Sequence, residues 1–352
     1  MLHVLTGAAC NNNCIFCMEQ DRAARAAHVG AQSPRDIQAM LAAHGDREEV
    51  LFTSGEPTLN PDLLEHVARA RQEGYRIIGL ITNGRLLAYK GVARRLVERG
   101  INRVTLSIHG HTARLHDSLT RTPGSYDQSR AALTNLLRLR RGRALEVRTA
   151  TVITRRNLKH LGAILGSLAR GAPDHHVLNM VMPVGRAARH FERLVPSYTE
   201  VAQALVLLAA SRPNWITRTR VVDLPVCLGR SLPAHLWGEP EVYSQYEAVG
   251  SSGLQGLCAD ADTGRGPATV PGQARAYYQT GRAHKDGHLR LHDGPCRACA
   301  ARPVCPGVYR RYVEARGHHE LSPISAQELA ELAPHLRSGD RAKKGKVRIL
   351  KP

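Results

Sequence analysis

"TGAACNNNCIFCMEQ", residues 6–20, places three cysteines within eight positions near the beginning of the chain. Cys10, Cys14 and Cys17 follow the spacing C-x3-C-x2-C. A [4Fe–4S] cube takes four thiolates, one for each iron, so three local cysteines leave one iron open to another ligand. The alternative is a zinc site completed by a distant histidine or by Cys227. Either interpretation makes this loop a metal site.

The composition is that of a chain with a full hydrophobic core. The 352 residues are 43% hydrophobic, enough for one large domain or one domain with a smaller appendage. No apolar run approaches the roughly 20 residues of a membrane span, and the nine residues before Cys10 are too few for a signal peptide. We therefore expect a cytoplasmic protein without membrane contact. In a reducing cytosol, eight cysteines in tight groups favour metal or cluster ligands over disulfides.

The formal charge of +19 admits two interpretations. It favours an acidic partner, such as nucleic acid, a phosphorylated substrate or an acidic peptide. Alternatively, the arginines are spread over the solvated faces of the helices, where they recur. Aromatic residues are only 4% of the chain, which leaves few platforms on which bases could stack. We therefore regard nucleic acid as an unlikely partner.

Strand and helix signals alternate along residues 1–215. The strands are nearly continuous apolar runs, which is typical of a parallel sheet covered by helices. Ser33 with Pro34, and Asn60 with Pro61, predict the first turns of two helices. We predict an α/β fold, a partial (β/α)6 TIM-like barrel, with its chemistry at the carboxyl ends of the strands.

After about residue 215 the alternation stops. A stretch rich in glycine and serine, without periodicity, precedes a second group of cysteines. We predict a smaller, loop-rich iron–sulfur extension over residues 216–330 and a basic tail over residues 331–352.

Further motifs follow the expected strands in order: "SGEPTLNP", "ITNGRLL", "VTLSIHG" and "NMVMPVGRA". With the cysteine loop they resemble the radical S-adenosylmethionine (SAM) superfamily over about residues 3–215, although Ser54 stands where the family's GGEP-type motif has a glycine. The resemblance implies that SAM chelates the open iron of a [4Fe–4S] cluster. It further implies that the reduced cluster cleaves SAM, and that the resulting 5′-deoxyadenosyl radical abstracts hydrogen from a substrate.

The resemblance also implies which residues hold SAM. Glu56 is expected to accept a hydrogen bond from the methionine ammonium, Ser107 to bond the ribose or carboxylate, and Met182 to contact adenine through its backbone. The other expected SAM-binding residues are Phe16, Gly55, Pro57, Asn83 and Arg148. His109 stands where many relatives carry an acidic residue; it is our candidate catalytic residue, with capping of the strand end as the alternative.

The second cysteine group has the spacing C-x2-C-x5-C, at Cys296, Cys299 and Cys305. Structural zinc is one interpretation. In the context of the barrel, the group resembles the SPASM or Twitch auxiliary-cluster extension, but Tyr309 stands where the full SPASM pattern has a further cysteine. We expect one auxiliary [4Fe–4S] cluster of the Twitch type. Its fourth ligand is Cys227, because a position just after a strand is rigid; Cys258 is the alternative ligand, or a functional thiol near the substrate.

The sequence therefore predicts a radical SAM enzyme, with a ribosomally made peptide or protein as substrate and crosslinking, epimerisation or oxidation as the reaction. The alternative is radical tailoring of a small molecule. A remote alternative, a non-catalytic Fe–S nucleic-acid-binding protein, leaves the motifs at the strand ends unexplained. The expected partners are the substrate, an external electron donor of the flavodoxin or ferredoxin type and, since only nine residues precede Cys10, a separate peptide-recognition protein.

Overall fold

The computed structural model describes most of the chain. The described residues are 2–7, 9–17, 34–211, 213–233, 236, 290–303 and 305–332. The predictions for Ser33, for Cys258 and for nearly all of the basic tail lie outside these residues.

Seven parallel strands form one sheet in chain order, which confirms the predicted α/β fold. The strands are β1 Leu2–Leu5, β2 Glu49–Thr53, β3 Ile77–Thr82, β4 Arg103–Ser107, β5 Glu146–Ile153, β6 His175–Met180 and β7 Thr219–Val222. Each strand pairs with the one before it, and each carboxyl end enters a loop on the same edge. The cysteine loop follows β1 on that edge.

Helices connect the strands, as a right-handed β/α succession requires. They are α1 Pro34–Ala43, α2 Leu63–Gln72, α3 Lys90–Arg99, α4 Ala113–Thr120, α5 Ser125–Arg140, α6 Leu161–Ala169, α7 Arg186–Arg189, α8 Phe191–Leu194 and α9 Tyr198–Ala210. The sequence did not predict α4, α7 or α8. Among the described residues, no helix is long and apolar enough to cross a membrane.

The predicted start of α2 at Pro61 was wrong. The helix begins at Leu63, after Asp62. Asn60 instead closes a turn, because its Nδ2 donates to the Thr6 carbonyl (2.7 Å) and its Oδ1 accepts from the Asp62 amide (2.8 Å). Asn60 and Pro61, which look like a helix start in the sequence, therefore belong to the loop that follows β2. The predicted start of α1 at Pro34 agrees with the structure.

Two apolar cores divide the molecule. One lies under the first half of the sheet, where Val50, Phe52 and Leu80 meet the helices. The other lies under the second half and continues into the carboxyl-terminal extension, where Leu178 and Tyr312 share one cluster. The extension contains the short antiparallel pair β8 Arg290–Leu291 and β9 Val308–Tyr309, with α10 Arg310–Arg316 and α11 Ala326–Leu332.

An aromatic contact joins the extension to the barrel. The rings of Tyr198, at the start of α9, and Tyr312, in α10, lie 4.1 Å apart. The Tyr312 hydroxyl accepts from the Tyr198 amide (2.9 Å) and donates to Glu320, whose other oxygen accepts from the Thr199 amide (3.0 Å). These bonds satisfy free amides of the first turn of α9, so the extension completes the cap of a barrel helix.

Candidate active site and auxiliary cysteine pocket

The cysteine loop crosses the carboxyl edge of the sheet, and backbone hydrogen bonds fix its path. The amides of Asn13 and Ile15 donate to the carbonyls of Thr120 and Leu119, both at 2.9 Å. The thiols of the loop are half-buried. The Asn12 amide donates to the Cys10 sulfur at 3.4 Å, a contact that favours a thiolate there. The loop thus presents its three sulfurs with its backbone already anchored.

Glu56 is almost fully buried, and its carboxylate joins two strand-end loops. Oε1 accepts from the amide and the hydroxyl of Thr58 (3.2 and 2.5 Å) and from the Thr82 hydroxyl (2.6 Å), while Oε2 accepts from the Asn83 amide (2.7 Å). Burial raises the pKa of Glu56 above its usual range, and these hydrogen bonds oppose the rise. The carboxylate is therefore committed to holding the loops after β2 and β3 together.

Asn83 connects the loop after β3 to the cysteine loop. Its Nδ2 donates to Asn11 Oδ1 (2.7 Å) and lies 3.9 Å from the Cys10 sulfur, while its Oδ1 accepts from the Arg85 amide (3.0 Å). Gly84 has φ +79°, and a Cβ there would lie 2.6 Å from Leu106. A glycine is therefore required for this loop to turn back over the sheet.

His109 lies two residues after β4 and is 4% exposed. The Val152 amide donates to its Nδ1 (3.2 Å), so the ring proton of the neutral imidazole is on Nε2. Its ring meets Phe16 of the cysteine loop edge-on, with centroids 4.8 Å apart, and stacks on His116 at 5.6 Å. Burial, and then His116, lower the pKa of His109 well below its ordinary value. His109 is therefore a neutral hydrogen-bond donor beside the loop at neutral pH.

The remaining predicted SAM-binding residues differ in position. Ser107 is the last residue of β4, and Met182 lies two residues beyond the end of β6, both at the carboxyl edge. Pro57 is buried at the start of a 3-10 turn, and Gly55 has φ +54°. Arg148 is instead the third residue of β5, toward the opposite end of the sheet, where its guanidinium pairs with Glu146. The structure does not bring Arg148 together with the others.

Sequence reasoning missed two arginines that contact the cysteine loop, Arg85 and Arg186. Both lie inside the quoted motifs, in "ITNGRLL" and "NMVMPVGRA". The detectable signal was a cation placed directly after a turn glycine at a strand end.

A second site lies in the extension, where four cysteines line one small solvent-open cavity: Cys227, Cys296, Cys299 and Cys305. Backbone amides point at the sulfurs. Those of Val226 and Gly307 donate to Cys305 (3.5 and 3.4 Å), and that of Ile324 donates to Cys299 (3.3 Å). Such donors stabilise thiolates in iron–sulfur sites.

The chemistry of these thiols depends on a bound group. Burial is the main cause that raises the pKa of Cys296 to about 11 and that of Cys305 to about 12; neighbouring thiols contribute to both, and the Val226 and Gly307 amides oppose the rise at Cys305. Without metal these two thiols are therefore protonated at neutral pH, and binding a metal or cluster would release their protons. Within the described residues, no three Cys, His, Asp or Glu side chains stand close enough to share one metal ion.

Comparison with known proteins identifies the domain that carries the cysteine loop. Residues 4–166 match the sequence model of the Radical SAM superfamily. This part of the chain is a radical SAM domain. Radical SAM enzymes use SAM and a [4Fe–4S] cluster, and the matched segment includes the three cysteines of the loop after β1.

Curated relatives of this chain include proteins named AdoMet-dependent heme synthase. The one from Nitratidesulfovibrio vulgaris is 29% identical over 198 residues, which are 55% of this chain and 52% of the relative. The one from Methanosarcina barkeri is 24% identical over 337 residues, which are 89% of this chain and 91% of the relative. The chain thus spans about half the length of the first of these relatives and most of the second.

A solved structure shows the same radical SAM fold over nearly the whole chain. The structure of native anSMEcpe with bound AdoMet and Kp18Cys peptide has a TM-score of 0.55 and 15% sequence identity. The match covers 95% of this chain and 98% of the chain in the solved structure. The likeness extends beyond the barrel into the carboxyl-terminal extension.

Proposed function

We propose that this protein reductively cleaves SAM at the cysteine loop and abstracts a hydrogen atom from its substrate. The observation that carries the proposal is the convergence of the loop, Glu56, Asn83, His109 and Ser107 at one edge of the sheet. When bound, the cluster supplies an electron to SAM, which yields the 5′-deoxyadenosyl radical.

In this proposal, the protein's side chains bind and orient the cluster and SAM. Cys10, Cys14 and Cys17 would hold three irons, which leaves the fourth for the amino and carboxylate groups of SAM. We assign Glu56 as a positioning residue, because its carboxylate oxygens hold Thr58, Thr82 and Asn83. The backbone around Gly55 is then the part of this motif that SAM can approach.

Further roles follow from position. Ser107, half-buried at the end of β4, would bond the ribose or carboxylate, and the backbone at Met182 would meet adenine. His109 would offer its Nε2 proton to the substrate or to SAM as a neutral donor. Arg148 is left out of this proposal, since it pairs with Glu146 near the other end of β5.

For the extension we propose one auxiliary [4Fe–4S] cluster, with Cys227 as the fourth ligand beside Cys296, Cys299 and Cys305. What supports the assignment is that Cys227 lines the same cavity as the other three. A cube with four protein thiolates has no open iron, so its role is to carry an electron to or from the site. An external flavodoxin- or ferredoxin-type donor would supply the reducing electrons.

For the substrate, we propose a peptide or protein as the first candidate. What supports a peptide is that a structure of this fold contains a bound peptide as well as AdoMet. The positive charge of the chain suits an acidic leader segment, and a separate recognition protein would present it.

A small molecule is the second candidate, and a specific observation favours it. The relative that matches 89% of this chain is named for the synthesis of heme, which is a small molecule. On this interpretation the chain's positive charge would attract carboxylate groups of the substrate.

The experiment is anaerobic reconstitution with iron and sulfide, followed by SAM and dithionite, with 5′-deoxyadenosine measured by mass spectrometry. Formation by the wild type, and its loss in the Cys10/Cys14/Cys17→Ala triple variant, would support the proposal. Absence of 5′-deoxyadenosine from wild type that holds about eight irons (two cubes), with or without substrates, would refute it. Deuterated peptides and deuterated porphyrin precursors of heme then separate the two candidates, since only the true substrate passes deuterium to 5′-deoxyadenosine.

A further inference from the structure

Arg186 joins the loop after β6 to the cysteine loop. Its backbone amide donates to the Cys17 carbonyl at 3.0 Å. Its guanidinium Nη1 donates to the carbonyls of Asn13 (3.1 Å) and Cys14 (3.2 Å), and also to Asn13 Oδ1. One residue therefore holds the loop on both sides of the Cys14–Cys17 segment.

Arg85 makes the corresponding contact from the other side of the barrel. Its Nη1 donates to the Asn11 carbonyl, and its Nε donates to Gln128 Oε1 at 2.5 Å. Within the described residues, both guanidinium groups donate to neutral carbonyl and amide oxygens and neither pairs with a carboxylate. Two cations thus flank the cysteine loop.

We propose that Arg186 is a positioning residue that fixes Cys14 and Cys17 before a cluster is built and places a positive charge beside the cluster. The proposal rests on the proposed function, which puts a [4Fe–4S] cluster on these thiols. Net charge and hydrogen bonding set the potential of such clusters. Because the reduced cluster carries one more negative charge, a nearby cation stabilises it more than the oxidised form. Arg186 therefore raises the reduction potential and eases electron entry.

The first arm of the test uses the full chain without iron. Cys14 and Cys17 are alkylated with iodoacetamide and the rates followed by peptide mass spectrometry. We expect Arg186→Gln to speed alkylation several-fold, because the loop loses its clamp. Arg189→Gln is the matched control, since Arg189 is exposed on the same short helix. Equal rates in wild type and Arg186→Gln would overturn the positioning role.

The second arm uses reconstituted protein and the EPR signal that changes when SAM is added, which belongs to the barrel cluster. Arg186→Gln should shift the midpoint potential of that signal to more negative values and lower SAM cleavage by about 10-fold or more. Arg186→Lys keeps the charge and loses the fork of donors, so its potential should stay near wild type while its loop is alkylated faster. An unchanged potential in Arg186→Gln would overturn the electrostatic role.

The two proposals fail in different ways. If wild type bound no cluster at Cys10, Cys14 and Cys17, the proposed function would be refuted, whereas the alkylation arm would still decide whether Arg186 holds the loop. If wild type cleaved SAM and Arg186→Gln matched it in alkylation rate and potential, only the present inference would fall.

Discussion

The two cysteine regions of the molecule are built in opposite ways. The loop after β1 has three half-buried thiols, and its backbone carbonyls are held by side chains from distant elements, including Arg186. The pocket of the extension has four thiols around one cavity, and backbone amides from within the extension and from the Cys227 turn point at its sulfurs. On the proposed function, three thiolates leave one iron open for SAM at the first site, and four thiolates complete the coordination at the second. The proposal therefore places chemistry at the first site and electron transfer at the second.

The largest expected effect comes from removing one thiol at each site. Cys14→Ala should abolish SAM cleavage and cost about four irons, because the open-iron site is lost. Cys227→Ala should also cost up to four irons but leave SAM cleavage intact, since the barrel site keeps its three ligands. Iron content and 5′-deoxyadenosine, measured together, check both. If Cys227→Ala kept all its iron, the fourth auxiliary ligand would have to be another residue, with Cys258 the first to test.

The next largest effect concerns a buried ion pair behind the auxiliary pocket. Arg290 is 8% exposed and pairs with Asp223; it also donates to the Tyr309 hydroxyl (2.8 Å) and to the Pro306 carbonyl (3.2 Å). Arg290→Met would leave the Asp223 carboxylate buried without its partner. Breaking such a pair costs about 3–5 kcal/mol. Urea unfolding of the metal-free protein should show this loss.

Exposed Arg311 supplies the control for that measurement. Arg311→Met should change the free energy of unfolding by less than about 0.5 kcal/mol. An Arg290→Met/Asp223→Asn double variant should recover part of the loss, because no charge is then left unpaired. Full stability in Arg290→Met alone would mean that the extension does not depend on this pair.

A buried histidine of the barrel sheet should contribute to acid sensitivity. His176 is 1% exposed, its Nδ1 lies 2.7 Å from the Thr149 hydroxyl, and burial lowers its pKa to about 4. The unfolded chain, with a histidine pKa near 6.5, binds this proton first as the pH falls. Stability therefore decreases below about pH 6.5 and continues to decrease down to about pH 4. By pH 5 the loss from this one group is about 2 kcal/mol.

Replacing His176 tests whether its imidazole causes this loss of stability at low pH. The fall in unfolding free energy between pH 7.5 and pH 5, measured by urea unfolding, should be about 2 kcal/mol smaller in His176→Asn than in wild type. His190→Asn, at an exposed position of the same half of the barrel, should keep the wild-type fall. A His176→Asn variant with the wild-type pH dependence would show that other groups govern acid unfolding.

Much of the site could be predicted from the sequence because its motifs are local. Apolar runs fix the strands, and each motif directly follows a strand, so the parallel sheet brings the motifs to one edge. Cys227 was predicted for the same reason, as it follows β7, and its role as a ligand stays a prediction. In the structure it lines one cavity with the other three cysteines.

Other features depend on contacts between distant residues, which spacing does not contain. Glu56 looked like a ligand for an ammonium group, yet its carboxylate is engaged by Thr58, Thr82 and Asn83. Arg148 was an expected SAM-binding residue, but its place in β5 and its pairing with Glu146 put it away from the cysteine loop. Tyr309 stands where the resemblance leads one to expect a cysteine, and its hydroxyl instead meets Arg290.

The smallest expected effect comes from a departure from the family motif. Ser54 occupies the position of a glycine in the GGEP-type motif, and the structure gives it φ +75°, in the left-handed region. A residue with a Cβ pays roughly 1 kcal/mol there, whereas glycine does not. Ser54→Gly should therefore stabilise the protein by about 0.5–1 kcal/mol in urea unfolding. Ala172 also has a left-handed backbone (φ +51°) and lies far along the chain from the motif. A matching gain in the free energy of unfolding from Ala172→Gly would show that the effect at Ser54 is relief of backbone strain. Destabilisation by Ser54→Gly would instead mean that the serine side chain supports the loop beside the cysteines, which would make this departure part of the site.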